Sequence, residues 1–272
     1  LLSRRQRQMC IRDRNDKRER ENFCLSKFWR YAAVIVVLFS VSYFSYWRGG
    51  ISIKEVFSDI IVEAPLGSRT KLTLPDGTLV WLNAGSRITY SQGFGVGNRK
   101  IELIGEGYFE VKRNEEVPFL VKTNSLLVKV LGTKFNFRDY PDDAEAIVSL
   151  SEGKVALNNL LKKEKEAFLL PNERVVLNKK NGRMHVEYST VSNALQWTNG
   201  YLFFDEELLP DVVKELERSY NVKIQIASDT LNTFRFYGNF VHREQNIQEV
   251  LEALSATRKI HYIIEGHNIT LY

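Results

Sequence analysis

The sequence predicts a membrane-anchored, mainly β protein. One N-terminal transmembrane helix leads into an all-β domain of sandwich, barrel or β-solenoid type, and a small α+β module follows. Three observations predict this. Residues 31–47 carry no charge. From about residue 60 to 190, short apolar–polar alternations are broken by turn residues, with no helical stripe of ten residues among them. Between 200 and 272, two amphipathic helical stripes interleave with short strands.

The N-terminal head, residues 1–30, holds ten Lys and Arg against four Asp and Glu. The rest of the 272-residue chain holds 28 against 29, so the net charge of +5 belongs to the head. A nucleic-acid surface needs a basic stripe on the folded part, and a near-neutral body argues against direct nucleic-acid binding. The chain does not begin with Met and reads as a piece of a longer one, with a truncated cytoplasmic head. Residues 1–14 lack apolar periodicity and are set aside as non-native. Cys10 and Cys24 both precede residue 31, so the body has no cysteine from which to build a disulfide framework or a zinc site.

The stretch from Tyr31 to Trp47 is 17 residues long, near the lower limit for crossing a bilayer core of ~30 Å. Trp29 and Arg30 flank one end and Tyr46, Trp47 and Arg48 the other, where aromatic rings favour the interface and arginines reach water. A core helix would be amphipathic, and a cleaved signal peptide would end on small residues rather than Tyr-Trp-Arg. The basic head puts the N-terminus in the cytoplasm.

In the β region, Leu72 and Leu74 alternate with polar neighbours, Pro75-Asp76-Gly77 turns the chain, and Leu79-Val80-Trp81-Leu82 resumes before Asn83-Ala84-Gly85. The pairs Ile101/Leu103, Phe109/Val111, Phe119/Val121 and Val128/Val130 continue the period of two. Gly105–Val111 echoes Ser151–Leu157, although two copies do not establish a repeat. Gly93, Gly95 and Gly97 precede a strand rather than a helix, so they read as a hairpin loop and not a phosphate loop.

In the α+β module, Tyr201–Phe204 is a strand, and Leu209, Val212, Val213, Leu216 and Tyr220 fall on one helical face. Pro210 belongs in the first turn of that helix and Asn221 at its stop. Its Lys214, Glu215, Glu217 and Arg218 read as a solvated face. Val222–Ile226 and Phe234–Phe236 give strands. Asn246 with Glu249 forms a capping box for a second helix, and residues 259–264 and 269–272 close the module. The order is β-α-β-β-α-β-β.

Nothing in the chain marks an enzyme. His185, His242, His261 and His267 are scattered and form no metal-ligand pair, so no metal or cofactor is expected. No Gly-x-Ser-x-Gly elbow occurs. Asp142-Asp143 beside Pro141 read as turn formers rather than an acid/base pair.

Four ordered blocks carry a family resemblance: Leu74–Ser86 (LPDGTLVWLNAGS), Gly105–Val111 (GEGYFEV), Val130–Phe137 (VLGTKFNF) and Ser151–Val155 (SEGKV). They resemble the FecR domain in the form common in Bacteroidota. The C-terminal module resembles the domain that follows it there, similar to the short signalling domain of secretins and TonB-dependent receptors. The resemblance implies a truncated cytoplasmic head (1–30), a transmembrane helix (31–47), a periplasmic FecR β domain (60–190) and a C-terminal signalling-type domain (200–272). It implies a single-pass inner-membrane anti-sigma regulator, with N-terminus in the cytoplasm and C-terminal domains in the periplasm. Its partners would be the signalling domain of an outer-membrane TonB-dependent receptor, membrane proteases and an extracytoplasmic-function sigma factor. The last would be held through an N-terminal domain longer than the head here. Signal passage would be by stepwise proteolysis.

Some family members cut themselves at a Gly-Thr bond in the third block by attack of the Thr hydroxyl on the preceding carbonyl, which implies Gly132 and Thr133 as a self-cleavage bond. From the residues alone, the same pair reads as a bulge glycine and a strand threonine. The alternative for the whole chain is a periplasmic binding or envelope-assembly module without sigma-factor control.

Overall fold

The computed structural model describes residues 29, 31–47, 58–188, 194–242 and 244–272. The basic head, both cysteines, and Arg30 and Arg48 at the helix borders lie outside the described residues. Residues 31–47 form a continuous helix whose large apolar side chains are exposed, among them Phe39, Tyr43 and Trp47. Among the described residues, no helix is long and apolar enough to cross a membrane.

A separate compact unit spans Ser58–Tyr272. Its first thirteen strands are β1 (Asp59–Ala64), β2 (Thr70–Thr73), β3 (Leu79–Leu82), β4 (Ser86–Ser91), β5 (Arg99–Glu110), β6 (Phe119–Lys122), β7 (Leu126–Val130), β8 (Lys134–Asp139), β9 (Glu145–Glu152), β10 (Val155–Asn159), β11 (Ala167–Leu169), β12 (Glu173–Asn178) and β13 (Met184–Tyr188). One half-sheet contains β1, β4, β5, β6, β7, β10 and β11, and the other β2, β3, β5, β8, β9, β12 and β13.

The two halves share β5. Its residues 99–104 pair with β4 and β6, and residues 105–110 with β3 and β8. All neighbours pair antiparallel except β5 and β6. This is a rolled, sandwich-like sheet and not a solenoid of stacked parallel coils.

The sequence reads as two strands where the structure has one, because β5 bends at Gly105 instead of ending. Gly105 has φ +96°, and a Cβ there would lie 2.5 Å from Ser86 Oγ. Only glycine tolerates both the conformation and the contact. The closeness lets the Glu106 amide donate to Ser86 Oγ at 2.8 Å.

Alternation along both halves sends one face inward to a single apolar cluster, in which Phe109 stacks on Phe135 with centroids 5.0 Å apart. Arg99 is also buried, ion-paired with Asp76 at 3.2 Å and donating to the Lys112 carbonyl at 2.8 Å, which ties down the loop after β5.

The C-terminal module has its own core. It runs β14 (Tyr201–Leu208), helix Leu209–Tyr220, β15 (Lys223–Ile226), β16 (Arg235–Val241), helix Ile247–Ser255, β17 (Tyr262–Glu265) and β18 (Asn268–Leu271). β14 pairs with β16, while β18 lies between β15, to which it is parallel, and β17.

Local sequence accounts for both helices. Pro210 sits in the first turn, where no N–H is needed, and Asn221 ends the helix in the left-handed region at φ 52°. Asn246 Oδ1 accepts from the Glu249 amide at 3.1 Å, capping the second helix.

Candidate functional site

The most chemically dense place in the described molecule is the junction between the β body and the helix Leu209–Tyr220. Turn geometry brings the body's groups there. Asn83 follows β3, with its Oδ1 accepting from the Ala84 amide at 2.9 Å. Its Nδ2 donates to Glu106 Oε2 at 2.8 Å. Asn136, on the face of β8 opposite Phe135 and Phe137, donates to Glu106 Oε1 at 2.8 Å and accepts from Trp197 Nε1 at 3.2 Å. Thus the Glu106 carboxylate is held by two side-chain amides. Burial pushes its pKa up, Arg138 opposes this and Glu215 adds to it, leaving it raised.

The helix contributes Glu215 and Arg218. Arg218 donates to Asp143 Oδ1 at 3.1 Å and to Glu215 Oε2 at 3.3 Å. The other oxygen of Asp143 accepts from Arg138 Nε at 2.9 Å. Asp143 is therefore clasped by one arginine from each part. Burial alone would raise its pKa, but Arg138 and Arg218 outweigh burial and lower it. Glu215 behaves alike, with Arg218, Arg138 and Arg69 overcoming its desolvation. Two backbone-level ties flank the cluster: the Gly67 amide donates to the Arg218 carbonyl at 2.8 Å, and Lys214 Nζ to the Asp142 carbonyl at 3.0 Å.

This corrects two expectations. Glu215 and Arg218 do not belong to a solvated face, since they are 8% and 6% exposed. They flank the apolar stripe on the side that meets the β body. Asp143 does lie after a turn, its amide donating to the Tyr140 carbonyl, but its carboxylate is the hub of the junction. Buried charges persist in proteins when paired and hydrogen-bonded, and here each carboxylate has at least two donors. The cluster holds the two parts in one arrangement, and it contains no nucleophile set against a base. Among the described residues, no group of His, Cys, Asp and Glu could hold a metal ion.

Gly132 and Thr133 lie elsewhere, in the turn between β7 and β8. A Cβ on Gly132 would lie 2.7 Å from the Arg113 Cα. The Thr133 hydroxyl is buried and donates to the Lys154 carbonyl at 3.1 Å. The bond borders a cavity of about 640 Å³ that also touches Arg113, Glu166 and Phe168.

The FecR protein family matches residues 61–156, and its C-terminal family, described as FecR, C-terminal, matches residues 201–271. The chain is 33% identical to a candidate anti-sigma factor from Parabacteroides distasonis, known from crystal structures at 1.65 and 2.50 Å. Both superpose with a TM-score of 0.72; the shared region covers 78% and 79% of this chain and 98% and 99% of theirs. The chain belongs to the FecR family. No curated protein matches it.

In this FecR-family chain the junction joins the two matched segments. Asn83 and Glu106 lie in the first segment, within the Leu74–Ser86 and Gly105–Val111 blocks, and Glu215 and Arg218 lie in the second. The blocks were legible, but the partnership across 132 residues between Asn83 and Glu215 had no local signal. Glu106 shares its strand face with Lys100, Glu102 and Glu110, so alternation alone reads it as another exposed charge.

Proposed function

We propose that this protein is a single-pass regulator of the inner membrane. In this reading it passes a signal from an outer-membrane TonB-dependent receptor to an extracytoplasmic-function sigma factor by regulated proteolysis. The observation that carries the reading is the ordered pair of FecR segments packed as one unit, following in sequence a helix whose apolar side chains are exposed. The anti-sigma role is supported by the Parabacteroides distasonis neighbour.

The helix of residues 31–47 serves as the anchor. At 1.5 Å per residue it is about 26 Å long, a few Å under the ~30 Å bilayer core, a mismatch that local thinning and interfacial side chains absorb. Trp29, Tyr46 and Trp47 are suited to that interface. A basic head on the cytoplasmic side leaves the β body and module in the periplasm.

Self-cleavage at Gly132–Thr133 belongs to the same reading. The Thr133 hydroxyl oxygen attacks the Gly132 carbonyl carbon, the C–N bond breaks as the hydroxyl proton passes to the departing Thr133 amine, and water then opens the ester to a Gly132 carboxylate and a free Thr133 hydroxyl. The buried, oriented Thr133 hydroxyl supports this.

The test uses a full-length version in its bacterium with a sigma-dependent reporter. Receptor ligand is expected to raise reporter output and shorten the regulator. A reporter that responds equally after deletion of residues 201–271 would reject the receptor-reading role.

A further inference from the structure

Beside the ionic junction, on its outer side, is a second feature with a different chemistry. A cleft of about 370 Å³ opens between the β2–β3 hairpin and the C-terminal module. One wall carries Arg69, Lys71 and Trp81 of the body, and the other Ser219 and His242 of the module with Trp197 from the short 3-10 helix Gln196–Asn199 just before it. No Asp or Glu lines it.

Both cations line the cleft, and Glu215 and Glu106 act on Arg69 only through space. Among the described residues, neither Lys71 nor Arg69 forms an ion pair. Lys71 and Trp81 are cross-strand neighbours, and the Lys71 ammonium sits 4.5 Å from the centre of the Trp81 ring. Arg69 donates Nε to Asn83 Oδ1 at 3.0 Å, yet no protein group accepts from its buried Nη2. The nearest buried carboxylates, Glu106 and Glu215, are already engaged by Asn83, Asn136 and Arg218. The exposed Lys71 gives the cleft a positive charge that no lining carboxylate offsets, and Arg69 Nη2 keeps an unmet need for an acceptor. Among the described residues β2 pairs only with β3, and no strand closes the hairpin side.

The cleft is too large for a bare anion and has the volume of a small-molecule site. Two indoles, one from each wall, add apolar surface to the lining. Hydroxyls of Ser68, Thr70 and Thr198 stand among them and suit a polyhydroxylated ring better than a peptide, which would seek a backbone ladder. We infer that this cleft binds an acidic sugar, its carboxylate between Lys71 and Arg69 and its ring against Trp81 and Trp197. Because the walls come from both parts, the occupied cleft would bridge the body and the module next to their ionic contact.

The test is calorimetric and tryptophan-fluorescence titration of the full chain with D-glucuronate, D-glucose, N-acetylaspartate and inorganic phosphate. Saturable glucuronate binding, at least about tenfold tighter than each of the other three, is expected. Lys71→Gln, a change at an exposed strand position, should weaken glucuronate about tenfold and leave the unfolding midpoint unchanged. Phosphate binding as tight as glucuronate would make this a simple anion site and overturn the proposal. Equal or tighter N-acetylaspartate would overturn it in favour of an acidic peptide. Absence of saturation with glucuronate, or a Lys71→Gln chain that binds it unchanged, would overturn it outright.

Discussion

Arg218 holds its guanidinium carbon 3.9 Å from the centre of the Tyr140 ring. The ring is fixed from behind, since the Tyr140 hydroxyl donates to the Ala84 carbonyl at 2.9 Å. A cation of the module is thereby clamped between an aromatic face and the Asp143 carboxylate, both on the β body. The contact is selective for arginine, whose planar head can stack and fork at once.

Replacing Arg218 with Met should destabilise the folded unit by about 3 kcal/mol, because Asp143 and Glu215 lose a buried partner. In a double-mutant cycle with Asp143→Asn, the coupling should be about 1–3 kcal/mol. Denaturant unfolding supplies all four values. Simple additivity would mean that the pair contributes contact but no coupling.

Acid should loosen the junction. Asp143 and Glu215 have folded pKa values below their ordinary ones, so their contribution is present above that ordinary range, about pH 4. It is lost as pH falls through the lowered folded values. Glu106 and Glu207 are raised instead, so their ionisation opposes folding at higher pH and their protonation relieves it. Thermal melts from pH 7 down to pH 2 should show a steep acid limb, and Asp143→Asn should flatten it. An acid limb identical in wild type and variant would remove Asp143 from the explanation.

Gly105→Ala tests the bend of β5. The new methyl meets Ser86 Oγ at 2.5 Å while the backbone keeps φ +96°. Strain of this kind costs about 1–3 kcal/mol before any steric adjustment. Gly95→Ala is the control: it also has positive φ, but nothing lies near its Cβ, so only the conformational part should remain. Urea denaturation of both variants should therefore rank Gly105→Ala as the more damaging.

Thr133→Ala should abolish fragments ending at Gly132, and Thr133→Ser should retain them, since serine keeps the hydroxyl. Mass spectrometry of the purified chain reads both. Unaltered fragments from Thr133→Ala would assign the cut to a separate protease.

Local chemistry was the legible part of this chain. The Pro75-Asp76-Gly77 turn, the first-turn Pro210, the Asn221 stop and the Asn246–Glu249 cap each follow from what a few neighbouring residues can do. The echo of Gly105–Val111 in Ser151–Leu157 sets Gly107 against Gly153, but only Gly153 adopts a positive φ, so the likeness of the two segments does not extend to a shared backbone turn. What a single sequence hid were relations between distant segments. Period two marks inward faces but not which strands pair, so the sharing of β5 by both half-sheets was invisible. Glu215 and Arg218 look like surface charges because helical periodicity reports only the module's own core, and the second surface they meet is folded from residues 83–143.

The placement of β18 bears on the order in which the module is made. Among the described residues β15 and β17 each pair with β18 alone, so neither has a strand neighbour there until residue 271 has been synthesised. During translation, the first helix and β14–β16 can assemble while β15 waits some forty residues for its parallel partner. In that interval its unpaired edge is open to any extended chain nearby, which makes completion of the module, rather than folding of the larger β body, the vulnerable moment in the protein's biogenesis.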